Sequence, residues 1–470
     1  MAHETTARFR LSPQQRRVWA LQAREARPVY NATCIVAVEG ALIVDALRHA
    51  VEMVAERHEV LRTVFRALPG TRVPLQGIVE TLPPLWKVME EGEAATAEAL
   101  AAVLDEAPVS FEDGPLFQAA LATTVDGRHL LALRVHALCA DAATMHLLLR
   151  EVADAYEAVV AGAAPAAPEI QYADVSEVFN DLLESEETQA GRDYWARVER
   201  SGAEDFALPH ALREGDAFAP RAVERVVDPA TAARLRELAD SLDLAPSTIL
   251  LAAWALLLAR LAGTDEVEAG VAFDGRVYEG LDAAPGAFVR YLPVRLAVGA
   301  GATFREAAAA TGGMLAERWE WQDYLDPSRD AGEAPEHFAF GLDWEERPGP
   351  REAAAVTFSV VELRARSERF GVRLTGVAEG DALRLVFEHD VHRVAPREAE
   401  RIADRLLALL EDAVERPDAP AAELELLPDA ELRYVLALGR SLADAPADRC
   451  LHDLFAEQAA RTPERTAVVA

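Results

Sequence analysis

Cysteine is scarce in this chain of 470 residues: Cys34, Cys139 and Cys450 are odd in number and far apart. That excludes a disulfide framework and a paired-cysteine metal knuckle, and it fits reduced thiols in a cytoplasmic protein. Long apolar runs are lacking as well. The longest, "ILLAAWALLLA" at 249–259, stops at Arg260 and falls far short of the roughly 20 residues that cross a bilayer, so it reads as a buried helix. The N-terminal "MAHETTARFRLSPQQRRVWALQ" has no apolar run behind its charges and reads as neither a signal peptide nor a membrane anchor. Positive charge is in deficit, with 47 Lys and Arg against 79 Asp and Glu, a formal charge of −32. Such a surface repels phosphate backbones and anionic lipid, so neither nucleic acid nor membrane is expected as a partner.

Several catalytic signatures are missing too. "RALPGTR" at 66–72 lacks the glycine and lysine spacing that cradles phosphates, and no G-x-S-x-G elbow supports a serine hydrolase. "RHEVLR" at 57–62 has no second histidine four residues on, so it is not a zinc helix. In "EHDVH", His389 and His392 fall on opposite faces of an extended segment, which leaves no expected metal site.

What is present is an ordinary globular composition, 51% hydrophobic and 27% charged, long enough for two or three domains. Strand and helix patterns alternate through the first third, with "NATCIVAVEG" as a strand and "VDALRHAVEMVAERH" as an amphipathic helix. Small residues and prolines at 158–170 mark a linker. Beyond it, helices are expected near 178–200, 229–241, 246–262 and 303–319. Strands are expected near 221–228, 266–273, 289–297, 355–364, 369–376 and 382–389. The expected organisation is an α/β chain with an N-terminal lobe at 1–165, a C-terminal lobe at 166–436, a polar linker at 437–450 and the start of a further domain at 451–470.

One stretch holds the chemistry. "RVHALCADAATMHLLLREV", 134–152, reads as a strand running into a helix, with His136, Cys139 and Asp141 at the junction. Asp141 stands where an N-cap belongs. Taken alone, a histidine at a strand end is a hydrogen-bonded core residue more often than a catalyst.

The order of motifs changes that reading. "LSPQQRRVWALQ" (11–22), "RHEVLRTVF" (57–65), "VHALCADAAT" (135–144), "IQYADVSEVFNDLLESEETQAGRDYW" (170–195), "FDGRVYEGLDAAPGAFVRYLPVR" (273–295), "QDY" (322–324) and "FEHDVHRVAPREAERIADRLLALLEDA" (387–413) follow in sequence. Together, over about residues 8–435, they resemble the condensation domains of nonribosomal peptide synthetases. The final "LHDLFAEQAARTPERTAVVA" resembles the first residues of an adenylation domain. The resemblance implies two chloramphenicol-acetyltransferase-like lobes forming a V around a central tunnel. It also implies upstream and downstream carrier proteins that bring phosphopantetheine-bound thioesters to the two ends, so no cofactor is attached to this chain. An acceptor amine then attacks the donor thioester to give an amide.

In that family the motif is two histidines, three variable residues, Asp and Gly, the second histidine having the proton or positioning role. Here the second histidine is Ala137 and the glycine is Ala142. A methyl group takes no proton and accepts no hydrogen bond. If Ala137 faces the tunnel, its neighbour His136 faces away. Cys139 shares parity with Ala137, but a thiol with no cationic partner in the motif is a poor base. The resemblance pairs Asp141 with Arg276 of the "GR" segment, a structural role that coexists with helix capping. Two origins of Ala137 stay open, a divergent subgroup with "ALCAD" in place of the histidine pair and an engineered knockout; loss of the glycine as well favours the first.

Three functions are therefore open: a condensation catalyst that works by positioning, or a related domain that modifies a carrier-bound residue, for example by dehydration; a catalytically silent docking domain; and a free-standing acyltransferase, which the adenylation-like tail argues against. Arg16 with Arg17, or Arg364 with Arg366, are candidate basic patches for acidic carriers.

Overall fold

Two six-stranded sheets organise residues 1–426 of the computed structural model, which describes residues 5–89, 96–163, 170–198, 208, 215, 217–297, 299, 301–326, 337–439 and 450–466. Residues 164–169 of the 158–170 linker and 440–449 of the 437–450 linker lie outside the described residues.

The first sheet runs, in spatial order, Arg351–Ala353, Val356–Ala365, Asn31–Gly40, His129–His136, Phe117–Thr123 and Leu85–Val88. Alternation in "NATCIVAVEG" sends Ala32, Cys34, Val36 and Val38 into the main core, while Ile35 joins Leu100 and Leu104 on the other face. Helices Val44–Arg57 and Ala142–Ala161 pack against each other beside the sheet. A smaller sheet joins Thr5–Phe9, Leu75–Val79 and Thr63–Arg66.

The second sheet is ordered Arg290–Ala297, Glu266–Phe273, Phe338–Glu346, Phe370–Glu379, Ala382–Asp390 and Pro220–Val226. The apolar run at 249–259 lies in helix Pro246–Ala262, which opens with proline, ends at Gly263 in the left-handed region (φ 68°) and is buried almost all round with Trp254 fully covered. Helix Pro396–Glu415 turns Ile402, Leu406 and Leu409 into the same core.

The structure departs from expectation in three places. The helix expected over 178–200 is two, Tyr172–Glu184 and Gln189–Arg197, parted by a 3-10 turn. Strand Phe338–Glu346, between the helix and strand expected near 303–319 and 355–364, was not anticipated. The strand at 356–365, expected within the C-terminal lobe, instead pairs antiparallel with Asn31–Gly40 of the first sheet, from Val356 opposite Gly40 to Ala365 opposite Ala32. Tyr172, Phe179, Leu281 and Phe288 likewise pack in the first core, so the chain crosses between the halves more than once. Cross-sheet pairing is a long-range choice that local periodicity does not encode.

Residues 427–470 form a separate unit with helices Asp429–Leu438 and Leu451–Arg461, where Tyr434, Leu438, Leu451 and Phe455 are exposed.

Candidate active site

Strand His129–His136 ends where the motif begins, and the backbone then turns sharply. Ala137 N–H donates to Tyr30 O at 3.0 Å, Cys139 N–H donates to His136 O at 2.8 Å, and Asp141 adopts the extended conformation of an N-cap before helix Ala142–Ala161. His136 turns into the first core. Its Nδ1 accepts the Leu138 N–H at 3.2 Å, so Nε2 carries the proton and donates to Gln22 Oε1 at 3.3 Å. Phe111 meets the ring edge-on with centroids 4.9 Å apart, and burial pushes the imidazole pKa down to about 3. It is a neutral, positioned core histidine.

Ala137 belongs to the same core and also lines a narrow gap with Gln14, Arg17, Ala140, Tyr291 and Glu368. The gap leaves about 30 Å³ open to the centre of a water molecule, room for a water or two. Arg17 and Glu368 line it as a buried pair, with Nε to Oε2 and Nη2 to Oε1 both at 2.8 Å. Cys139 lies in the core, where burial drives its thiol far above the ordinary range and keeps it protonated.

Asp141 is the hub of the junction. Its carboxylate accepts from the Thr144 N–H at 2.9 Å, the Thr144 hydroxyl at 2.8 Å, and the N–H groups of Phe288 and Val289 at 2.9 and 3.1 Å. Arg276 adds two parallel bonds at 2.9 Å each and stacks over the Phe288 ring at 4.3 Å. Burial alone raises the Asp141 pKa, but Arg276 and these donors outweigh it and hold the carboxyl below its ordinary value. Capping and ion pairing thus occur in one side chain.

Asp141, Val289, Tyr291 and Ser367 also border a second, larger cavity of about 460 Å³, walled by strands of both sheets. The crossing strand supplies Glu362 and Leu363, and strand Phe338–Glu346 supplies Asp343 and Glu345. His146 Nε2 lies 3.5 Å from Glu345 Oε1, which Arg347 Nε holds at 3.0 Å. An open recess lined by Arg16, Asn180 and Tyr324 shares Leu325 with the gap.

The sequence reading overlooked the strand Phe338–Glu346 and with it Asp343 and Glu345. The available signal was an acid near the end of the apolar "FAFGLDW", next to Leu342, which packs in the second core. The candidate basic patches are engaged in local ion pairs. Arg17 is buried against Glu368, Arg16 lies 3.6 Å from Asp326, Arg364 pairs with Glu362, and Arg366 Nε donates to Glu388 at 2.6 Å.

The model of the condensation domain family matches residues 6–436. Bacitracin synthase 3 of Bacillus licheniformis is 28% identical over 479 residues, covering 98% of this chain and 7% of that protein. Phosphinothricin tripeptide synthetase PhsC of Streptomyces viridochromogenes is also 28% identical, covering 98% of this chain and 44% of that protein. The chain thus spans less than half the length of these relatives. Among solved structures, the first condensation domain of the calcium-dependent antibiotic synthetase superposes with TM-score 0.78 at 21% identity, covering 90% of this chain and 100% of that one. The X-domain in its complex with OxyB from teicoplanin biosynthesis gives 0.74 at 24% identity, covering 91% and 98%. The fold is α/β with chloramphenicol-acetyltransferase-like lobes, as expected, and the chain belongs to the condensation domain family of nonribosomal peptide synthetases.

Proposed function

We propose that this chain is a condensation domain that joins a carrier-bound acyl or peptidyl thioester to a carrier-bound acceptor amine, using a divergent motif in which Ala137 replaces the histidine. One observation carries the reading: the 460 Å³ cavity between the sheets meets the gap at Ala137 along Asp141, Val289, Tyr291 and Ser367. A separate recess shares Leu325 with the gap, which gives the gap a second neighbour for a second thioester arm. Holding both reactants there contributes the main part of catalysis, since effective molarity alone is worth about 7 to 11 kcal/mol. Asp141 and Arg276 fix the walls and take no part in the chemistry. His136 and Cys139 shape the turn from within the core.

In this reading, 1–165 and 166–436 are the two condensation lobes, 437–450 is a linker, and 451–470 opens an adenylation domain; the 98% coverage in alignments with peptide synthetases supports the last part. Carrier proteins upstream and downstream bring the phosphopantetheine.

A second reading, a silent docking domain, draws on the gap itself, which takes only about 30 Å³ beside the closed Arg17–Glu368 pair. Single-turnover assays with carrier-bound donors and acceptors, read by intact mass spectrometry, decide between the two. Amide above a no-domain control supports condensation. Carrier binding without product from a broad panel leaves docking or residue modification.

A further inference from the structure

We propose that Asp343 receives the amine of the acceptor and takes its proton, the part that Ala137 cannot play. The inference rests on the condensation reading above and assigns one residue within it.

Asp343 lies in strand Phe338–Glu346, where Leu342 turns into the second core and Asp343 turns to the cavity. One of its oxygens is occupied: Oδ2 accepts from the Tyr291 hydroxyl at 3.0 Å and from Arg373 Nη1 at 2.9 Å. The other, Oδ1, is covered and has no hydrogen-bond partner among the described residues, so an amine meets it once the carboxyl turns toward the cavity. A carboxylate oxygen left so is costly unless a donor arrives, and an ammonium group brings three. The nearby cations are already engaged, Arg373 with Glu388 at 3.1 Å and Arg347 with Glu345.

Position completes the argument. Tyr291 walls both the gap at Ala137 and the larger cavity, so Asp343 stands one hydrogen bond from the constriction where the two arms would meet. The groups facing Asp343 are Arg373 on strand Phe370–Glu379, Tyr291 on Arg290–Ala297, Glu388 on Ala382–Asp390, and Glu345 on its own strand, with His146 of helix Ala142–Ala161 beside Glu345. Burial is the largest influence, and with Glu388 and Glu345 it outweighs Arg373 and Tyr291, so the carboxyl is raised above its ordinary value. That direction brings a carboxylate toward the working range of a general base.

The step balances simply. The acceptor ammonium gives one proton to Asp343, and the free amine forms the C–N bond as the donor's C–S bond breaks. The second amine proton leaves with the departing thiolate, giving amide and thiol, and Asp343 returns its proton to solvent.

Aminoacyl groups linked by a stable amide to pantetheine, and deamino analogues lacking only the amine, test this by calorimetric titration of the full chain. Loss of a charge-assisted hydrogen bond predicts that the wild type binds the amine form about tenfold or more tighter than the deamino form. Asp343→Asn should erase that ratio while binding the deamino analogue unchanged, and its single-turnover pH profile should lose the acid limb. A wild-type ratio near one overturns the proposal whether or not the variant folds, as does an unchanged ratio or pH profile in Asp343→Asn. If no substrate yields amide with the wild type, the condensation reading fails, and the binding ratio still decides whether Asp343 receives an amine.

Discussion

Arg276, on the loop after strand Glu266–Phe273, grips Asp141 at the start of helix Ala142–Ala161 with both terminal nitrogens, each 2.9 Å from a different carboxylate oxygen. The two side chains are almost wholly buried, so removing one strands the charge of the other. Arg276→Ala should therefore destabilise the fold by about 3 to 5 kcal/mol in urea titration. Arg276→Lys keeps the charge without the fork and should recover only part of this. A loss below about 0.5 kcal/mol for Arg276→Ala would mean that Asp141 acts as a helix cap alone.

A histidine at position 137 should cost stability. Ala137 borders a gap with about 30 Å³ of free space, and an imidazole is several times larger than a water molecule. Ala137→His must displace Gln14 or the Arg17–Glu368 pair and should lower stability by about 1 to 3 kcal/mol, read as a lower melting temperature. An unchanged melting temperature would show that the gap opens readily.

His136 should make the fold acid-sensitive. Its folded pKa of about 3 lies below the ordinary 6.5, so between those values the unfolded chain binds a proton that the native chain refuses. The stabilisation is complete above pH 6.5 and is lost as pH falls toward 3, with a slope of up to about 1.4 kcal/mol per pH unit. His136→Asn, which keeps an acceptor for the Leu138 N–H, should flatten denaturant midpoints measured from pH 7 down to 4. An identical slope in the variant would contradict this assignment.

Only one thiol should react in the native protein. Cys450 is exposed, whereas Cys34 and Cys139 are buried and burial raises the pKa of both. A thiol-specific alkylating reagent followed by peptide mapping should label Cys450 quickly and the other two only after denaturation. Fast labelling of Cys139 would place it on the cavity instead.

Local patterns made much of this legible. Alternation in "NATCIVAVEG" and the capped helix after Asp141 appear where expected. The Asp141–Arg276 pairing came only through the family resemblance, because nothing local links residues so far apart in the chain. Strand Phe338–Glu346 escaped for a physical reason: "FAFGLDWEE" does not alternate cleanly, and its partners on both sides are parallel strands distant in sequence. Asp343 was hidden with it.

The crossing strand Val356–Ala365 also bears on how the molecule is made. Strand Asn31–Gly40 is among the first elements synthesised, yet one edge of it stays unpaired until that late segment leaves the ribosome. Throughout that interval a row of open backbone groups flanked by Val36 and Val38 is available to other chains. Early chain release or truncation before Val356 would thus leave a sticky half-sheet, so any shortened version of this protein should be judged first by its solubility.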